Sequence, residues 1–153
     1  MVSRLLLISV LTLAVNFVES HIALAENFTS HLCSFSEKNS GTLVPETGMH
    51  STRLVSFETA GGSPTEISIT CKQAVNFSVL KPIQLAGPAI EPTSTFVRVE
   101  TSSGKSISSD EISTLSLPMG TTTLLFNLAI DGGKPLPAGN YRYGFKFNVV
   151  SSE

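Results

Sequence analysis

The sequence predicts an all-β fold, one β-sandwich of seven or eight short strands, and three observations predict it. Apolar and polar residues alternate with a period of two in several runs, the pattern of strands with one buried face. Glycine, proline and asparagine separate those runs. No stretch reads as a helix, because the apolar runs are short and β-branched residues dominate them.

The chain opens with a different pattern. Arg4 precedes an apolar run over residues 5–18 that only Ser9, Thr12 and Asn16 interrupt, and Glu19 and His21 end it. A bilayer span needs about 20 apolar residues, and this run is shorter. Ala23-Leu24-Ala25 then offers small residues where signal peptidase reads them. Residues 1–25 are expected to be a signal peptide and residues 26–153 one β-sandwich domain, near the usual domain size of about 100–150 residues. The expected location is exported: periplasmic, cell-surface or secreted, with no stable membrane span after cleavage.

Within the domain, residues 34–41 read as polar and turn-rich. Residues 41–44, stopped by Pro45, read as a short edge strand. Residues 53–59 read as another strand, and residues 60–64 as a turn. Over residues 65–72, Ile67, Ile69 and Cys71 share one face and Glu66, Ser68 and Thr70 the other. Val75, Phe77 and Val79 continue the pattern, and Pro82, Pro88 and Pro92 punctuate a connection. Residues 95–101 form the next strand and residues 102–110 a loop or hairpin end. Ile112, Leu115 and Leu117 precede Pro118. Residues 121–130 make a strong strand with Leu124, Phe126, Leu128 and Ile130 inward, and residues 131–134 a tight turn.

The last run is the most periodic. Tyr141, Tyr143, Phe145, Phe147 and Val149 alternate with Arg142, Gly144, Lys146 and Asn148, which predicts one long strand over residues 141–150 facing the core. The same five residues mark a candidate strand-exchange edge, because a terminal strand with an open side invites a partner strand.

Cys33 and Cys71 are the two cysteines. In an exported chain they read as a disulfide, with two buried free thiols as the alternative. Cys71 lies on an apolar strand face, so its partner is expected to reach it from a neighbouring strand across the core. The pair lacks the close spacing of a zinc site.

Catalytic patterns are missing. His31 and His50 sit in no nucleophile-pairing pattern, no Gly-x-Ser-x-Gly occurs, and Ser56, Ser68 and Ser78 read as solvent-facing strand positions. Asp110 and Glu111 are adjacent and diverge on an extended chain, and Asp131 reads as a turn former rather than a calcium ligand. The reading is therefore a non-enzyme without cofactor or metal. The formal net charge of −2 argues against a nucleic-acid partner, which needs a clustered basic surface. Asn27-Phe28-Thr29 and Asn76-Phe77-Ser78 match the glycosylation sequon.

Three motifs together carry a resemblance. His31-Leu32-Cys33-Ser34-Phe35 follows the leader, Ile67-Ser68-Ile69-Thr70-Cys71 closes an alternating strand, and Gly139-Asn140-Tyr141 opens the terminal one. The chain resembles the spore coat protein U and chaperone–usher pilus subunit group of bacterial exported domains. The resemblance implies an immunoglobulin-like sandwich with a disulfide near the first strand. It implies a structural, fimbria-like subunit whose sheet is completed by a strand from a periplasmic chaperone or another subunit. Residues 26–32 carry only Phe28 and Leu32 as large apolar residues, fewer than a polymerising subunit's donor segment. A tip or capping subunit and a self-complete sandwich therefore stay open. The alternative function is a glycan-binding module using the loops at residues 60–64 and 86–92.

Overall fold

Residues 32–46 and 50–152 are described in the computed structural model of the chain. The signal peptide expected at residues 1–25, the sequon at Asn27 and His31 lie outside the described residues. Among the described residues the fold is all-β and sandwich-like, with the Cys33–Cys71 disulfide and a single 3-10 turn at Glu58–Ala60. Among the described residues no helix is long and apolar enough to cross a membrane.

The first sheet is organised around a long strand, β10 (Gly120–Asp131). Its Thr, Leu and Ile residues suit an extended backbone, and Leu124, Phe126, Leu128 and Ile130 all point inward as the period predicts. On one edge it pairs with β7 (Ser94–Thr101), which turns back as β8 (Ser106–Ser108). On the other edge lie β4 (Thr65–Cys71) and then β3 (Arg53–Val55), end to end. Outside these run β1 (Cys33–Asn39) against β4 and β2 (Val44–Pro45) against β3. The second sheet is β9 (Leu115–Leu117), β5 (Val75–Val79) and β12 (Phe147–Ser151). It is prolonged by β6 (Ile83–Ala86) paired with β11 (Arg142–Gly144). All pairings are antiparallel. Joining the interrupted segments, β1 with β2, β3 with β4, β5 with β6 and β11 with β12, leaves eight strand lines.

The interruptions have physical causes. The terminal strand, expected unbroken over residues 141–150, is two segments. Leu80 N–H still donates to Lys146 O at 2.8 Å, but Pro82 two residues on has no N–H, and the ladder resumes only at Ile83. The strand expected over residues 53–59 pairs only as far as Ser56. Ser56 N–H donates to Leu128 O at 3.0 Å, and its hydroxyl accepts from Leu128 N–H at 2.8 Å. The side chain thereby takes the acceptor role of the next backbone carbonyl, and the chain leaves the sheet through the 3-10 turn and Gly61, at φ +85°. Ser56 is 4% exposed, so the solvent-facing expectation fails for it. Ser68 is buried too, because β4 is flanked on both edges, while Ser78 is half-buried.

Residues 34–41, expected to be turn-rich, are mostly strand. β1 was hidden because it is an edge strand whose only apolar inward residues are Cys33 and Phe35. The disulfide also differs from expectation. Cys33 and Cys71 are cross-strand neighbours in one sheet, 4.1 Å apart at Cα, rather than residues joined across the core. Lys72 N–H donates to Leu32 O beside them, which makes Cys33–Cys71 a non-hydrogen-bonded pair, where antiparallel strands approach most closely.

Between the sheets, Phe126 of the first meets three rings of the second. It stacks on Phe145 at 4.6 Å, meets Phe77 edge-on at 6.2 Å and lies 6.3 Å from Phe147. Ile67, Ile69, Val97 and Val99 complete one face of this core, and Val75, Val79, Leu115 and Leu117 the other.

Replacing Ser56 by Ala strands the buried Leu128 N–H and is expected to cost about 1–3 kcal/mol in urea unfolding. Ser78→Ala at the half-buried position should stay within about 0.5 kcal/mol. Reducing the disulfide releases a loop closed across 38 positions and should lower stability by about 4 kcal/mol, measured by the same titration with and without reductant.

Candidate functional site

The two sides of the sandwich differ. On one, β8 reaches toward β5, and Ile107, 6% exposed, joins the core there. On the other, the β1–β2 edge of the first sheet faces the β11–β12 edge of the second. Neither edge has a strand partner among the described residues.

Between these edges lies a cleft of about 690 Å³. Its floor is Leu54, Phe126, Leu128 and Phe145, all buried, with Ser56 and Thr65 at its margin. One wall is residues 40–45, the other residues 135–143, and the exposed His50 stands at the mouth. The floor is apolar because inward residues of β3 and β10 continue there beyond the cover that the second sheet gives them.

Both walls are held firmly. Thr42 and Ser63 exchange backbone hydrogen bonds at 2.9 and 3.1 Å, which anchors the first wall to the β3–β4 excursion. Leu136 N–H donates to Ser51 O at 3.0 Å, and the Tyr141 hydroxyl donates back to Pro137 O four residues earlier. Gly87, at φ +108°, lies so close to this turn that a Cβ there would fall 2.5 Å from Asn140 O. Gln84 Nε2 donates to Pro88 O at 2.6 Å and fixes the same loop. Below the cleft, Arg53 pairs with Glu46 at 2.6 Å and lies 3.9 Å from Asp131.

The five residues of the candidate edge divide along the seam. Tyr141, Tyr143 and Phe145 line the cleft. Phe147 and Val149 are buried in the core, and the Phe147 ring lies 4.9 Å from Phe35 of β1. Burial raises the Tyr143 pKa above its ordinary value, with the adjacent Tyr141 adding to the shift.

Of the other residues singled out in the sequence, His50 and Ser56 line the cleft, whereas Asp110 and Asn76 lie elsewhere. The Ser108 hydroxyl donates to Asp110 in an exposed loop. Asn76 sits inside β5 between β9 and β12, where its Oδ1 accepts from the Ser116 hydroxyl at 3.1 Å. Among the described residues no three His, Cys, Asp or Glu side chains group as metal ligands would. The opposing wall, residues 40–45, is expected from the sequence as a short edge strand and pairs as one at Val44–Pro45, but its place beside the cleft carries no sequence signal, because it depends on which non-local segments come to face it.

Comparison with known proteins finds no family model, no curated protein and no solved structure that matches the chain.

Because folding raises the Tyr143 pKa, the folded state holds that proton more tightly than the unfolded one. The associated stability is intact below the unfolded tyrosine pKa of about 10 and is lost as pH rises through the folded value. Thermal unfolding followed from neutral to alkaline pH should show a smaller alkaline loss for Tyr143→Phe than for the parent chain.

Proposed function

We propose that this chain is an exported, non-enzymatic structural domain of the cell surface or periplasm, completed by a strand from another polypeptide. One observation carries the reading: two unpartnered sheet edges face each other across an apolar cleft. A strand edge has spare N–H and C=O groups, and an apolar floor rewards alternate side chains. Together they suit an extended peptide, whose backbone pairs while every second side chain is buried.

Several features support the wider reading. A disulfide is stable in an oxidising compartment, in keeping with export through the leader at residues 1–25. Sheets of β1/β2–β3/β4–β10–β7 and β9–β5/β6–β12/β11 support reading the fold as an immunoglobulin-like sandwich without, among the described residues, its last edge strand. The Tyr141 hydroxyl bond to Pro137 O resembles the tyrosine corner of that fold, in the connection leading into the penultimate strand. A periplasmic chaperone or a fellow subunit would supply the missing strand. The glycan-binding alternative would use the loops at residues 60–64 and 86–92, with Tyr141 and Tyr143 as the aromatic residues that line the cleft.

The test is light scattering on the chain exported to an oxidising compartment without any co-expressed partner. The expected result is aggregation or degradation of the uncomplemented chain. A monodisperse, heat-stable monomer would sink the strand-exchange reading and turn attention to ligand binding.

A further inference from the structure

Resting on the strand-exchange reading, we infer that the incoming strand is short and comes from a different polypeptide. It is about five residues long, runs between β2 and β11, and carries two apolar side chains two positions apart.

The seam has two halves, and the chain itself closes one. Near the disulfide, the Phe35 ring reaches across from β1 to Phe147 of β12, 4.9 Å away. The next position on β1 that shares the inward face by register is Glu37, which pairs with the core residue Ile67 and is itself exposed at the open edge. A strand laid over it would strip water from that charge, and an inward charge on an edge strand is a known guard against pairing. From Ser40 to Pro45 the situation reverses. The cleft is apolar below, no acidic side chain among the described residues lines it, and Arg142 and His50 are its basic residues. That rim of six residues corresponds to about 20 Å of extended chain. Phe35 therefore acts as a stop that fixes where the incoming strand ends.

The source follows from what this chain has to offer. The alternating apolar runs of residues 65–71, 75–79, 94–101, 120–131 and 147–151 are already paired in its own sheets. Residues 26–32 carry two large apolar residues, Phe28 and Leu32, four positions apart rather than two, and Leu32 already packs against this chain's own core. A partner with an uncharged alternating segment fits, and a second copy of this chain does not.

The chain has no tryptophan, so a Trp-tagged peptide is a clean fluorescent probe. Two probes would be present while the disulfide-bonded chain is refolded by dilution from urea: a core of Thr-Leu-Thr-Val-Thr and its extension Thr-Leu-Thr-Val-Thr-Val-Thr-Leu-Thr. The parent chain should bind both within about twofold, whereas Phe35→Ala/Glu37→Gln should favour the longer probe by about tenfold or more. Phe35→Leu/Glu37→Gln, which keeps apolar bulk, is the companion if the first variant unfolds, and it should show the same preference in weaker form. A parent chain that already favours the longer probe tenfold would overturn the stop while leaving strand exchange standing. Self-association of the parent chain that the short probe competes away would overturn the choice of a different polypeptide. Binding of neither probe to a chain with an intact cooperative melt would overturn this inference and the strand-exchange reading together.

Discussion

The packing of Phe126 against Phe145, Phe77 and Phe147 is the interaction on which the rest of the structure depends. It is the main aromatic bridge between the two sheets, and it sits at the centre of the longest strand. Rings of this size bury most of their area only when both sheets close over them. The contact therefore sets the spacing of the sandwich, and with it the width of the seam along the β1 and β12 edges. Phe145 belongs both to this cluster and to the cleft floor, so the core and the site share one surface.

Among the described residues a strand closes the sandwich on one side only, and the seam lies on the other. β8 folds back along β7 and brings Ile107 into the core, so that side is closed by the chain itself. On the opposite side, β1 follows β4 as far as the register irregularity between Glu37 and Asn39. It then yields to residues 40–45, which stay bound to the first sheet through Thr42 and Ser63. Held there, they cannot cross to cover β11. The tight glycine contacts around residues 87 and 139 hold the other wall equally fixed. The cleft is thus a built gap between two braced edges rather than slack in a loop.

Breaks in the ladders matter as much as the ladders. Pro82 removes one donor and divides the last strand into two segments, one in the core and one at the cleft. Ser56 replaces a backbone acceptor with its hydroxyl and lets the chain leave the first sheet without stranding Leu128. Both are local chemical events, but their effect is to shift the β6–β11 pair and the β3–β4 excursion to the ends of the cleft.

Much of the fold was legible in the residues. The strands with one apolar face, those around Ile67, Phe77, Phe126 and Val149, declared themselves by alternation, because burial on one side imposes a period of two. The all-β class and the cysteine pair follow from the same reading. Alternation could not reveal β1, whose inward face is nearly empty of apolar residues, nor the break at Phe145, which depends on a proline in a strand more than sixty residues away. Nor could it place Cys33 beside Cys71 in one sheet, since register is set by the pairing of whole strands. The amino-acid order by itself determined which faces are apolar. Only the tertiary structure decided which apolar face lacks a cover, because that depends on where non-local edges end up opposite one another.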